Sequence, residues 1–263
     1  MNISFIGFGN MAKAIAEGLL HDPQYHISAA APSLTQGKDE RGIHTYQDNL
    51  AVLTDADVVI LAVKPLQMKN VYQQIAPHLP EKTLVISIAA GIPLAWFATT
   101  CASFTPVVRA MPNIASAIGL GATPLIANDW VSETQRQAAE QIFNLIGITT
   151  WVINENELNA YTALSGSGPA YVFLFMEGMI EAAVSLGLEA SSARRFALQT
   201  VKGALNLAEQ SQNEIADLRR TVTSPKGTTA AALAAFEKEG LKNMIKTAMQ
   251  AAVQRAESLQ SDI

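Results

Sequence analysis

A single cysteine, Cys101, stands in 263 residues, so no intrachain disulfide can form and no cysteine cluster can hold a metal. A lone thiol of this kind reads as an inert core residue rather than a nucleophile. Charge is also scarce: 16% of residues are charged, and 18 Lys and Arg against 23 Asp and Glu leave a net charge of −5. An acidic chain without a basic stripe is unsuited to gripping nucleic acid. No His, Asp or Glu cluster has metal-ligand spacing. The opening MNISFIGFGNM has neither the basic stretch nor the cleavage site of a secretory signal, so a cytoplasmic location is expected. Residues 83–108 carry no charge, but Gly91, Pro93 and Pro106 break them into pieces too short to span a bilayer, which takes about 20 apolar residues in one segment. No membrane association is expected.

What is abundant is apolar: 49% of the chain, enough for a sizeable core with apolar surface to spare for a partner subunit. The length fits one large domain or two moderate ones, at roughly 100–200 residues each. The first half alternates β-branched runs at 3–6, 25–30, 58–63, 84–88 and 106–110 with helical patterns at 10–20, 48–54, 66–76 and 93–99. That alternation predicts a parallel sheet covered on both faces. A further strand is expected at 119–127 and a helix at 132–145 capped by Ser132. After Asn154 only helical patterns follow: 169–186 ending at Gly187, 192–210 capped by Ser191 or Ser192, 213–220, 228–239 stopped by Gly240, and 241–259. The expected fold is an α/β Rossmann domain over residues 1–153, then an all-α domain over 154–263. The segment 169–186 is apolar almost all round, and a homodimer is the natural way to cover it.

IGFGNMA (residues 6–12) is a G-x-G-x-x-A directly after the first strand and opening a helix. Gly7 permits the tight turn, Gly9 lets backbone approach a pyrophosphate, and Ala12 lets helix pack on strand. The helix start supplies N–H groups and a positive dipole end to phosphate. An NAD site usually has Asp or Glu about 20 residues on; here SAAAPS (28–33) offers no carboxylate, and Ser28 or Ser33 could bond a 2′-phosphate. The cofactor expected is NADPH, with NADH as the alternative.

The second domain contains no histidine: His21, His26, His44 and His78 all precede it. A lactate-type dehydrogenase, which needs a protonatable histidine, is therefore disfavoured. Lys202 could replace it as an acid, or be a solvated charge on an amphipathic helix. An iminium substrate would need no strong acid, only orientation and hydrogen-bond donors. VTSPKGTT (222–229) supplies such donors: Ser224, Thr228 and Thr229 hydroxyls and the N–H groups of Gly227, Thr228 and Thr229 at a helix start that favours an anion. Ordinary capping is the other reading of the same residues.

GFGNMAKAI, LAVKP, VRAMPNI, LSGSGPAYVF and VTSPKGTTAAALAAFE, in this order from Ile6 to Glu237, resemble the Δ1-pyrroline-5-carboxylate reductase family. The resemblance implies reduction of a cyclic imine carboxylate to L-proline with NADPH or NADH, by a Rossmann domain and a helical domain that interlocks with a second subunit, some dimers assembling further. It places Gly7, Phe8, Gly9, Asn10 and Met11 at the cofactor pyrophosphate and Asn49 at the adenosine ribose. Ala62, Val63, Lys64 and Pro65 would lie along the dinucleotide, as would Ala89, Ala90 and Gly91, with Met111 and Asn113 flanking the nicotinamide. It puts the substrate carboxylate on the N–H groups of Gly227 and Thr228, with Ser224 alongside, and gives Thr229 the catalytic hydrogen bond to the ring nitrogen. Two positions depart from the family pattern. Lys226 stands where its loop has glycine, and Ile114 follows Asn113 where threonine is common. Glu209 is the candidate for a water-ordering carboxylate, or an exposed helix-end charge. SGSGPAY reads as a cap at Ser165 or Ser167, with Gly166 and Gly168 allowing close helix approach. The alternatives are a β-hydroxyacid dehydrogenase using Lys202 and a non-catalytic NAD(P)-binding sensor.

Overall fold

The protein was analysed as a computed structural model that describes residues 1–101 and 104–261. Its strands are β1 (Asn2–Ile6), β2 (His26–Ala30), β3 (Gly37–Lys38), β4 (His44–Tyr46), β5 (Val58–Leu61), β6 (Leu84–Ser87), β7 (Val107–Ala110), β8 (Gly121–Ala127) and β9 (Gly147–Trp151). They form one sheet in the order β3-β4-β2-β1-β5-β6-β7-β8-β9. The central strands are parallel, while β3 runs antiparallel to β4 and β8 antiparallel to β7. Every residue of β5, β6 and β7 is buried, as both-face coverage demands.

Helices α1 (Asn10–Leu19) and α4 (Glu133–Asn144) contribute Ala12, Ile15, Ala16, Leu19, Ala139, Ile142 and Phe143 to an apolar cluster with Ile3, Phe5, Ile60 and Ile86. On the opposite face, α2 (Pro65–Ile75) and α3 (Leu94–Cys101) bring Met68, Tyr72, Ile75 and Phe97 against Ile6, Val59, Leu61 and Val85. Cys101 packs beside this second cluster, and burial raises its thiol pKa, in keeping with a core residue. Ser132 caps α4 through a reciprocal bond with Gln135.

The helical part comprises α5 (Glu155–Tyr161), a π-helical turn (Thr162–Gly166), α6 (Gly168–Ser185), α7 (Ala190–Gln210), α8 (Ile215–Thr221), α9 (Thr228–Lys238) and α10 (Leu241–Ser261). The chain divides into two compact units: 1–167 with 251–263, and 168–250. The sheet ends at Trp151, but α5 and the π-helical turn stay with the sheet unit, as do the last turns of α10. Within the second unit α6 packs along α7, and Phe175 of α6 meets Phe236 of α9. None of α6 is buried, and Phe173, Leu174, Leu186, Phe196 and Leu207 are exposed. No helix among the described residues is long and apolar enough to cross a membrane.

Several expectations need correction. Residues 48–54 form a 3-10 turn, Asn49–Val52, instead of an α-helix: Asp48 caps its start through the Leu50 N–H at 3.1 Å, and the Ala51 and Leu53 N–H groups bond three residues back, to Asp48 and Leu50. The cap of α7 is Glu189, which accepts from the N–H groups of Ser191 and Ser192; the serine hydroxyl and those N–H bonds hold its carboxyl down to about 2. Neither Ser165 nor Ser167 caps α6: the Ser165 hydroxyl donates back to the Tyr161 carbonyl at 2.9 Å within the π-helical turn. A Cβ added at Gly168 would meet nothing within 4 Å, and one at Gly166 only Thr162, so no close helix approach occurs there.

One ion pair ties the sheet to the first helix beyond it. Arg109 on β7, 2% exposed, donates to Glu155 Oε1, which also accepts the Leu94 N–H of α3 at 3.0 Å. Removing the carboxylate strands a buried cation, whereas removing the cation leaves a carboxylate that water can still reach. Glu155→Ala is therefore expected to cost about 3 kcal/mol and Arg109→Met about half as much, in line with buried-pair measurements. Urea denaturation checks this; equal losses would show that burial of Arg109 is not the governing term.

Candidate active site

The C-terminal ends of β1, β5, β6 and β7 carry the residues expected at the cofactor. Gly7 has φ 83° and donates to the Ala30 carbonyl at 2.8 Å. A Cβ there would lie 2.7 Å from the Ala62 carbonyl oxygen and 2.9 Å from Val63 Cγ1, so this turn admits no side chain. Gly9 is the opposite case: a Cβ would meet nothing within 4 Å. It is the N-cap of α1, which has neither a side-chain cap nor an acidic first-turn residue. Open space above bare helix N–H groups is what a pyrophosphate requires, so these residues fit the dinucleotide.

The neighbours divide by what they present. Phe8 turns its side chain into the core, edge-on to Phe5 at 5.8 Å, leaving only its backbone for a ligand. Asn10 is exposed and Met11 half-buried at the mouth of α1. Lys64 is an exposed N-cap of α2 with Pro65 at the first helical position, after half-buried Ala62 and Val63. Asn49 donates to Gln74 Oε1 at 2.9 Å, so its amide is held toward α2. Ala89, Ala90 and Gly91 follow β6, and Gly91 (φ 79°) lies under Leu259 of α10, whose Cβ would be 3.0 Å from an added Cβ. Met111 is half-buried after β7, but Asn113 points inward: its Nδ2 donates to the Ser165 carbonyl at 2.9 Å, tying this loop to the π-helical turn.

In the second unit, Ser224-Pro225-Lys226-Gly227 forms a turn closed by Gly227 N–H to the Ser224 carbonyl at 3.1 Å. Lys226 sits at φ 60°, the one non-glycine residue with positive φ among those described, at the turn position that normally takes glycine. Gly227 has an ordinary φ of −79°, and a Cβ there would make Ser224 Oγ shift and lie 3.2 Å from the Ser224 carbonyl oxygen. It caps α9, whose first turn has no side-chain cap and no acidic residue. The hydroxyls of Ser224, Thr228 and Thr229 have no hydrogen-bond partner among the described residues. This is an uncapped helix start with spare hydroxyl donors beside an exposed lysine.

Residues 155–259 match the family model for pyrroline-5-carboxylate reductase dimerisation, and residues 2–91 match that for coenzyme F420-dependent NADP oxidoreductase. A pyrroline-5-carboxylate reductase of Pseudomonas aeruginosa is 43% identical over 98% of this chain and 96% of its own. The chain belongs to the pyrroline-5-carboxylate reductase family. One from Vibrio alginolyticus is 40% identical over 98% of this chain and 97% of its own. Among solved structures, the Coxiella burnetii reductase superposes with a TM-score of 0.90 at 40% identity, covering 98% of each chain. The Plasmodium falciparum reductase, solved with NADP bound, gives 0.90 at 29%, covering 99% of this chain and 98% of that one.

Sequence spacing gave no hint of Arg41. The β3–β4 hairpin brings its guanidinium 5.6 Å from the centre of the Phe8 ring, beside the glycine loop. It is not a free phosphate clamp, because Asp39 holds it at 2.9 and 3.0 Å and Glu17 at 2.8 Å. Lys202 and Glu209 are both exposed on α7.

Two substitutions test the loops. Gly7→Ala is expected to abolish NADPH binding measured by fluorescence titration, since the turn cannot close against Ala62; retained affinity would refute the backbone approach. Lys226→Gly is expected to raise unfolding stability by about 1 kcal/mol, the usual cost of a side chain in left-handed backbone. An unchanged urea midpoint would mean that Lys226 carries no strain.

Proposed function

We propose that the protein reduces 1-pyrroline-5-carboxylate to L-proline with NADPH. The observation that carries this reading is the bare start of α9, where an anion-favouring helix end and three free hydroxyls stand together in a loop of the family's pattern. In this reading residues 1–153 bind the cofactor, and 154–263 bind substrate and form the homodimer, which extends the self-association expected from the dimerisation match. Exposed Phe173 and Leu174 on α6, Leu186 just after it and Phe196 on α7 supply the dimer's apolar face. Further assembly of such dimers belongs to the same reading. The location proposed for this activity is the cytoplasm.

When bound, the reduced nicotinamide supplies a hydride. The protein's task is then to orient the imine carbon, and proximity accounts for much of the rate. The N–H groups of Thr228 and Thr229 hold the substrate carboxylate with Ser224 beside them, since the Gly227 N–H is spent on the Ser224 carbonyl at 3.1 Å. The Thr229 hydroxyl hydrogen-bonds the ring nitrogen. No histidine is needed, because an iminium already carries its proton. Backbone from Gly7 to Met11 holds the pyrophosphate, the loops at Ala62–Pro65 and Ala89–Gly91 flank the dinucleotide, Asn49 lies toward the ribose, and Met111 and the backbone at Asn113 border the nicotinamide. The end of β2, Ala29 to Ser33, has no carboxylate to repel a 2′-phosphate, which favours NADPH over NADH.

The test is the decay of NADPH absorbance with purified protein and pyrroline-5-carboxylate, repeated with NADH. Proline formation is expected with both and faster with NADPH; binding of NADPH without turnover would leave only a nucleotide-binding role. Thr229→Ala is expected to lower kcat/KM about 10- to 100-fold, the loss of one hydrogen bond to a charged group, with NADPH affinity intact. An unchanged kcat/KM would remove Thr229 from the mechanism.

A further inference from the structure

The sheet has a second concavity, far from the strand ends that carry the glycine loop. Its floor follows from register: Lys38 pairs with His44, His44 with Ser28 and Ser28 with Ser4, one row across β3, β4, β2 and β1. His26 and Asn2 form the next row on the same face. The other face of these strands belongs to the α1 cluster, through Ile3, Phe5, Ile27 and Ala29. Farther along the strands, Ile6 and Ala30 are covered by Val52, Leu53 and Met68. The connection from β2 to β5 is a short hairpin and one 3-10 turn, not a full crossover helix. Val52 covers buried Ser4, but Asn2 and Ser28 stay half-buried and His26 and His44 exposed, and a pocket of about 470 Å³ opens over them.

Its lining carries one lysine and two histidines against one carboxylate, Asp55. Lys38, His26 and His44 line it, and none of the three side chains has a hydrogen bond or ion pair among the described residues. The Lys38 stem runs over Gly42, its Cε 3.5 Å from where a Cβ would stand, an ordinary contact distance. The serines are not free donors. Ser4 spends its one hydrogen on the Val52 carbonyl at 2.5 Å, so Ser28 must donate to Ser4 at 3.0 Å. Asp55, the acid of the lining, belongs to the β1 side, where its carbonyl accepts from Asn2. Three strand spacings, about 14 Å, separate β1 from β3.

We propose that this pocket is a second ligand site for a small phosphate-bearing anion, held by Lys38, His26 and His44. Single donors on three neighbouring strands can converge on the several oxygens of a tetrahedral group, and lysine binds phosphate as a point charge. Tyr46, Leu20 and Tyr25 give the rest of such a ligand apolar wall. The site does not depend on the reductase reading, and its occupancy can be measured whether or not the protein turns anything over.

The experiment is proton NMR of the histidine rings in NADPH-saturated protein, titrated with inorganic phosphate at constant ionic strength kept with sodium chloride. NADPH saturation keeps phosphate from the glycine loop. The expected result is saturable movement of the His26 and His44 resonances while those of His21 and His78 stay put. Lys38→Met and His44→Asn should each weaken phosphate binding about tenfold, the size of one charge-assisted bond, and leave NADPH affinity unchanged. Equal shifts with chloride alone, shifts that never saturate, or parent-like binding by both variants would overturn the site.

Discussion

The backbone contact between Gly7 and Ala62 is the constraint on which the nucleotide-binding half rests. Gly7 bonds to the Ala30 carbonyl, and Ala62 bonds to the Ile6 carbonyl, both at 2.8 Å. The first turn of the chain is thus wedged between β2 and β5 at the centre of the sheet. The wedge has two consequences. The chain must leave it with positive φ, which only glycine does cheaply. The helix that follows must also lie tightly on the sheet, and fully buried Ala12 and Ala16 provide the small contacts that allow it. The N–H groups of α1 are then left facing open space, and an anion site appears as a by-product of packing.

A different constraint governs the second unit. Its longest apolar helix, α6, has no buried residue, and α7 buries only Ala193 and Ala197 among those described. Apolar area of that kind contributes roughly 25 cal/mol per Å² once it is covered and nothing while exposed. Cover from a second copy would make self-association part of folding, so that stability depends on protein concentration. The loop at Ser224–Thr229, where substrate is proposed to bind, belongs to this unit.

Legibility in the sequence followed chain length and periodicity. The long strands and helices that bury one clear face could be read to within a residue or two, and so could the glycine loop, because its glycines answer a local steric demand. Strands β3, β4 and β9 were not legible: they are short, half-exposed and held by partners distant in sequence, so no period of two announces them. The Glu189 cap was missed because two serines beside it have the stronger cap preference, yet a carboxylate can reach both of their N–H groups at once. Arg41 was invisible for the same reason as β3 and β4, since the hairpin that delivers it to Phe8 has no local signal. Asn113 was placed by resemblance, and only the structure shows its amide committed to the Ser165 carbonyl.

Lys226 shows how a local rule can be broken inside a loop that otherwise obeys every one. Proline before it and glycine after it build the turn, and both are explained by backbone geometry: Pro225 presets φ, and Gly227 makes room for Ser224. A lysine at the remaining position costs about what a side chain in left-handed backbone always costs. Its exposed side chain makes no hydrogen bond or ion pair among the described residues that would offset the strain within the fold. Strain without a structural return is typical of residues that act on a ligand. For the carboxylate proposed at the start of α9, an ammonium group beside bare helix N–H groups would add to the same attraction. The loop therefore combines what backbone supplies in any helix start with one charge that this chain adds for itself.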